Sequence, residues 1–173
     1  KNMSQIRAAE KLIRRKRRQY EMQDRQFPEM EEDGRLKEYL DRCTFINRDG
    51  EICEFTSLQK HDLNLVLQKR YALLNWQQGS GKTAAVYHRA KYLLKFRKAR
   101  NAVILAPAIA THMTWIPFLT VNRERFKMIK TESDLEDIPE GMFLVVSTSI
   151  LGRLKRGLTR FVKRTSRKLC LVF

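Results

Sequence analysis

The sequence predicts an α/β fold in which helices flank a parallel sheet buried on both faces, preceded by a helical and hairpin extension. Three observations carry this. Short, continuous apolar runs (Ala102–Ala106, Gly141–Ser147 and Leu169–Phe173) are bounded by Gly or Pro or lie beyond basic stretches. Segments with helical spacing separate them, and strands alternating with helices imply βαβ units. Apolar residues make up 43% of the 173, enough for a substantial core.

In chain order, Ser4–Gln23 reads as one helix, with Ser4 as cap and no internal Gly or Pro. Its apolar residues form only a narrow stripe. Pro28 breaks the chain, and a short helix is expected around Arg35–Arg42. Thr44–Ile46, the turn Asn47–Gly50 and Ile52–Phe55 form a hairpin signal, because Asp-Gly accepts a tight turn. Leu58, Leu63, Leu65, Val66 and Leu67 suggest a helix. Tyr71–Trp76 reads as a buried strand, Lys82–Phe96 as a helix, and Phe126–Ile129 as a short strand. The expected boundary separates an extension over 1–57 from a lobe over 58–173.

Charge is strong and uneven. Lys and Arg number 35 against 19 Asp and Glu, a formal net charge of +16. A polyanion would relieve the self-repulsion, and nucleic acid is the expected partner; a solvated basic surface is the alternative. Residues 1–25 hold nine bases and three acids, 29–54 hold four bases and nine acids, and 150–168 hold eight bases and no acid. Such blocks mark different surfaces. No apolar run reaches membrane-spanning length, so no membrane partner is expected. Three cysteines without C-x-x-C spacing point to ordinary thiols in a reducing, intracellular setting. His61, His88 and His112 are scattered without metal-ligand spacing.

The most informative stretch is Gln78-Gly79-Ser80-Gly81-Lys82-Thr83-Ala84, placed between an expected strand and an expected helix. That placement is what a phosphate loop requires. Glycines let backbone amides approach phosphate oxygens, and a helix N-terminus adds its dipole and unpaired N–H groups. Lys82 would reach the outer phosphates as a point charge, and the Thr83 hydroxyl would ligand Mg²⁺. The full pattern has Gly where this chain has Trp76.

With these residues, the chain resembles the superfamily-2 helicases and translocases, closest to the Swi/Snf-like group, over about residues 58–173. Gln78–Thr83 resembles motif I. Val103–Pro107 followed by Trp115 and Phe118 resembles the next motif, and Phe143–Thr148 resembles the strand ending in Ser/Thr-Thr. Leu169–Phe173 resembles the strand that leads into the Asp-Glu box, which would follow Phe173. The resemblance implies the first RecA-like lobe of a phosphate-loop NTPase, cut before that box. ATP and Mg²⁺ would be its cofactors and Lys82 and Thr83 its catalytic residues. Its partners would be nucleic acid, most readily DNA, and a second RecA-like lobe, in the cytoplasm, nucleoid or nucleus. Lacking the box, the chain is expected to bind nucleotide without turning it over. Leu58-Gln59-Lys60-His61-Asp62 stands where the family reads adenine; Gln59, His61 and Asp62 are the candidates, with Asp62 where Gln is expected.

Ile150–Lys168 has apolar residues at helical spacing and bases opposite them. Thr148 and Ser149 are expected to cap that helix, and with Arg153, Lys155, Arg156 and Arg160 to hold nucleic acid; a solvated basic face is the alternative. The cluster Arg14–Arg18 reads as a DNA-contacting helix, a localisation signal or a solvated helix. Trp115 reads as core. Two other classes remain beside the motor: a different phosphate-loop enzyme such as a kinase or clamp-loader-like ATPase, and a non-enzymatic basic nucleic-acid-binding module.

Overall fold

Asp33 starts a helix. Its carboxylate accepts the N–H groups of Arg35 and Leu36, so α1 (Gly34–Asp41) begins on an ordinary acidic cap. The computed structural model describes Glu10, Ile13, Arg14, residues 30–165 and residues 168–172. The expected Ser4–Gln23 helix and the Arg14–Arg18 cluster therefore fall largely outside the described residues. The chain divides into two compact units, Lys1–Glu31 and Glu32–Phe173, and the second carries everything that follows.

The hairpin forms where Asp-Gly placed it. β1 (Thr44–Ile46) pairs antiparallel with β2 (Ile52–Glu54), Phe45 opposite Cys53. Asn47 Oδ1 accepts the N–H groups of Asp49 and Glu51, and Gly50 takes a φ of 85°. Next, α2 (Ser57–Leu67) opens with a reciprocal cap between Thr56 and Gln59.

Two asparagines tie this front part down by imitating a strand partner. Asn64 accepts from the Asp33 amide and donates to the Asp33 carbonyl, both at 2.9 Å. Asn122 does the same for Ile46, at 2.8 and 2.9 Å. Leu36, Leu40, Phe55, Leu63 and Leu67 then close a core against Ala84 and Ala85 of α3 (Lys82–Lys95).

The main sheet comprises β3 (Asn101–Ala106), β4 (Phe126–Ile129), β5 (Phe143–Ser147) and β6 (Leu169–Val172), ordered β4-β5-β3-β6 with every pairing parallel. Successive side chains of a strand face opposite ways, and both faces here are apolar. Ala102, Ile104, Phe143 and Val145 meet Tyr87 and Ala90 of α3, Trp115, and Leu119 of α5 (Ile116–Val121). Val103, Leu144 and Val146 meet Leu154 and Phe161 of α6 (Leu151–Arg164) on the other face. Full burial of each Val, Leu, Ile or Phe among them contributes about 1.5–3 kcal/mol, so covering both faces holds the three layers together. Trp115 is core, as expected. It sits in a π-helical turn, Thr111–Trp115, between the short α4 (Ala108–Ala110) and α5.

Tyr71–Trp76 does not form the expected strand. Its backbone joins no ladder among the described strands, and Tyr71 and Leu73 are exposed. An extended segment becomes a strand only when a neighbour accepts its backbone hydrogen bonds. Here the segment is instead held at its ends. The Arg89 guanidinium donates to the carbonyls of Val66, Lys69 and Arg70 before it, and Asp62 of α2 holds the Trp76 indole at its far end.

Candidate functional site

The residues expected to form a phosphate loop lie on the turn that enters α3. Gly79 has φ 81° and Gly81 φ 79°, a region in which an L side chain is strained. Gly81 is the residue ahead of the helix, so no side chain caps it. The first-turn N–H groups of a 14-residue helix are thereby left without an intrahelical or side-chain partner. The N–H groups of Gly79 and Gly81 make no backbone hydrogen bond among the described residues. The turn thus presents a row of open donors at the positive end of a helix dipole.

Lys82 stands over this row. Its ammonium donates to the carbonyls of Trp76 at 2.7 Å and Gln77 at 2.9 Å, which folds the loop around the charge. The Ser80 hydroxyl donates to the same Gln77 carbonyl. Thr83 is half-buried one residue further on, Ala84 packs into the core beneath, and Gln78 is exposed at the crown. Gln78, Gly79, Ser80, Gly81, Lys82, Thr83 and Ala84 are therefore gathered in one place by adjacency in sequence.

Two of the three expected base readers reach this loop, and both are engaged with it. Gln59 Nε2 donates to the Ser80 carbonyl at 3.0 Å, while its Oε1 accepts the Thr56 amide at 2.8 Å. Asp62 Oδ2 accepts the Trp76 indole N–H at 2.7 Å. His61 is directed elsewhere, with Nδ1 2.7 Å from Glu32 Oε1 at the surface. Asp62 and Trp76, which stand where the pattern the sequence resembles has Gln and Gly, are partners. Considered together, the departures were the one sequence signal that could have revealed the contact. Arg89, which holds the chain between α2 and the loop, had no such signal.

The basic candidates lie apart from the loop, at the C-terminal end of β5 and along α6. Thr148 and Ser149 do not cap α6. A 3-10 turn over Thr148–Ile150 delays the helix to Leu151, Ile150 takes the cap position, and the Ser149 hydroxyl pairs with Ser147 at 2.8 Å. Arg160 is held by Glu132 at 2.6 Å, and Arg164 by the Leu135 carbonyl. Arg153, Lys155 and Arg156 are exposed, and no ion pair within 4 Å is found for them among the described residues. Among the described residues no group of three or more His, Cys, Asp or Glu side chains is placed to hold a metal, and no helix is long and apolar enough to cross a membrane.

Compared with family models, curated proteins and solved structures, the chain matches none.

Proposed function

We propose that this chain is a nucleoside-triphosphate-binding lobe of a nucleic-acid-directed motor of the helicase or translocase kind. The single observation that carries the reading is the state of Lys82. Among the described residues, an ammonium at the first residue of a long, uncapped helix is bonded only to loop carbonyls, Trp76 and Gln77, around two glycines with positive φ. Carbonyls are weaker partners for a cation than an anionic oxygen. A triphosphate entering the turn would take over the ammonium and the open N–H groups together.

The four-stranded parallel sheet with helices on both faces is compatible with a RecA-like lobe. The residues fit Mg²⁺ arriving with the nucleotide, since Thr83 offers one hydroxyl and Mg²⁺ usually keeps most of its waters. When bound, the ion would shield phosphate charge. The chain's own part is to bind and orient: Lys82 by charge, Gly79–Ala84 by backbone N–H groups, Thr83 by its hydroxyl. The net charge of +16 and the exposed Arg153, Lys155 and Arg156, without an ion pair among the described residues, support a polyanionic track, with DNA favoured by the family resemblance alone.

The test is amide hydrogen exchange with and without Mg-ATP, beside Lys82→Ala. Protection of residues 79–84 that disappears in Lys82→Ala supports the reading. Unchanged exchange together with salt-sensitive DNA binding would replace it with the non-enzymatic basic module.

A further inference from the structure

Gln59 and Asp62 are three residues apart on α2, so they share one face of the helix. That face lies against the phosphate loop. Asp62 holds the loop's first residue through the Trp76 indole, and Gln59 holds its crown through the Ser80 carbonyl. The approach is close: a Cβ at Gly81 would stand 3.3 Å from Gln59 Nε2. Trp76 is gripped twice, its indole N–H by Asp62 and its carbonyl by Lys82. Its ring packs on the cluster that joins α1, α2 and α3. At its other end α2 is fixed by Arg89, which rises from α3, the helix the loop opens. The loop is therefore braced at residues 76 and 80 by one rigid helix face.

We propose that Asp62 is a positioning residue that sets the shape of the phosphate loop through Trp76, rather than a reader of the nucleobase. The proposal rests on the loop being a triphosphate site. Chemistry favours the brace. A carboxylate only accepts hydrogen bonds, and one Asp62 oxygen already takes a short, charge-assisted bond from an indole whose sole polar group is that N–H. A base edge presents acceptors beside its donors, and a carboxylate can serve only the donors. Lys82 can leave the Trp76 carbonyl for phosphate without disturbing the indole bond, because the two use opposite ends of the residue. The brace then holds the turn open in the shape that its glycines define.

The experiment compares two ligands by calorimetry: Mg-ATP and Mg-tripolyphosphate, which has the phosphates and no base. The proteins are wild type, Asp62→Ala, Asp62→Asn, Trp76→Phe, the Asp62→Ala/Trp76→Phe pair and Lys82→Ala. Asp62→Ala is expected to weaken both ligands by the same factor, about tenfold, the equivalent of about 1.4 kcal/mol. Asp62→Asn keeps an oxygen that accepts from the indole and should restore most of the affinity for both. Trp76→Phe should reproduce Asp62→Ala, and the pair should be no worse than either alone.

A loss confined to ATP, with tripolyphosphate unchanged, would make Asp62 a base reader and overturn the proposal. Unchanged binding of both ligands by Asp62→Ala would overturn it as well. The underlying triphosphate reading fails separately, and takes the proposal with it, if wild type binds neither ligand or Lys82→Ala binds as well as wild type. Should the alanine variant not fold, Trp76→Phe, which removes the indole N–H and keeps Asp62, makes the same comparison: an equal loss for both ligands supports the brace, and unchanged binding overturns it.

Discussion

The Glu132 carboxylate accepts the Gly157 amide at 3.0 Å, in space that a side chain at 157 would fill. A Cβ there would meet Glu132 Cγ at 2.9 Å and its Cβ at 3.1 Å. Gly157 lies mid-helix in α6, where Gly costs about 1 kcal/mol relative to Ala. Replacement by Ala is nevertheless expected to destabilise the chain, by about 1 kcal/mol in urea unfolding, since it dislodges Glu132 and releases Arg160. In a Glu132→Ala background that cost should shrink measurably, because most of the obstructing side chain is gone. Additive costs would mean that Glu132 does not hold this space.

His88 on α3 is packed among Phe55, Tyr87 and Phe45, with ring centroids 5.1, 4.9 and 6.2 Å away. Neither ring nitrogen makes a well-formed hydrogen bond. Burial first, and then the Lys91 charge, push its pKa from 6.5 down to about 4. The unfolded chain thus binds a proton between those values that the folded chain does not, so stability falls as pH drops from about 6.5 to about 4 and is then level. The loss is on the order of 3 kcal/mol at most. Unfolding free energies of wild type and His88→Phe across pH 7.5–4 should converge or cross as pH falls. Parallel curves would show that His88 is not held neutral.

Arg89 binds three carbonyls with its fork, at 2.6, 2.9 and 3.0 Å. Burial lowers its pKa from the ordinary value. Arg89→Met removes the donors and leaves those carbonyls seeking water, a cost of about 2–3 kcal/mol. Arg89→Lys should recover only part of it, since an ammonium is a compact point charge and cannot reproduce the fork. Hydrogen exchange should rise across residues 66–76 in both variants. Faster exchange spread evenly over the chain would point to general destabilisation instead.

On the proposed nucleic-acid track, the bases of α6 should contribute unequally. Arg153, Lys155 and Arg156 are open, whereas Arg160 is occupied by Glu132. Removing one side chain that neutralises a duplex phosphate lowers the slope of log affinity against log salt by about 0.9. The triple Ala variant is expected to lower the slope by about 2–3, and Arg160→Ala alone by far less. An unchanged slope in the triple variant would make α6 a solvated face.

Much of the architecture was legible in the sequence because it depends on local rules. Asp49-Gly50 made the hairpin, alternation of uniformly apolar runs made β3 and β5, and helical spacing with Leu154 and Phe161 made α6. The tight turn ahead of α3 was legible for the same reason, its residues being consecutive: Gly79 and Gly81 adopt the positive φ that their type permits. Tyr71–Trp76 was misread because an apolar run has the composition of a strand whether or not a partner is present, and pairing is not a local property.

What the sequence by itself determined is the hairpin, the sheet strands β3 to β6, the helices α3 and α6 and the residue types of the turn into α3, since these follow from side-chain size, branching and backbone freedom over a few residues. What only the tertiary structure decided is which groups are already committed. Asp62 to Trp76, Gln59 to Ser80, Arg160 to Glu132 and Asn122 to Ile46 join residues 14, 21, 28 and 76 positions apart. The part-buried bonds among these form because folding takes their groups from water, and each then takes whichever partner the packed chain sets within reach, whereas the exposed Arg160–Glu132 pair meets only because the fold brings α6 beside Glu132.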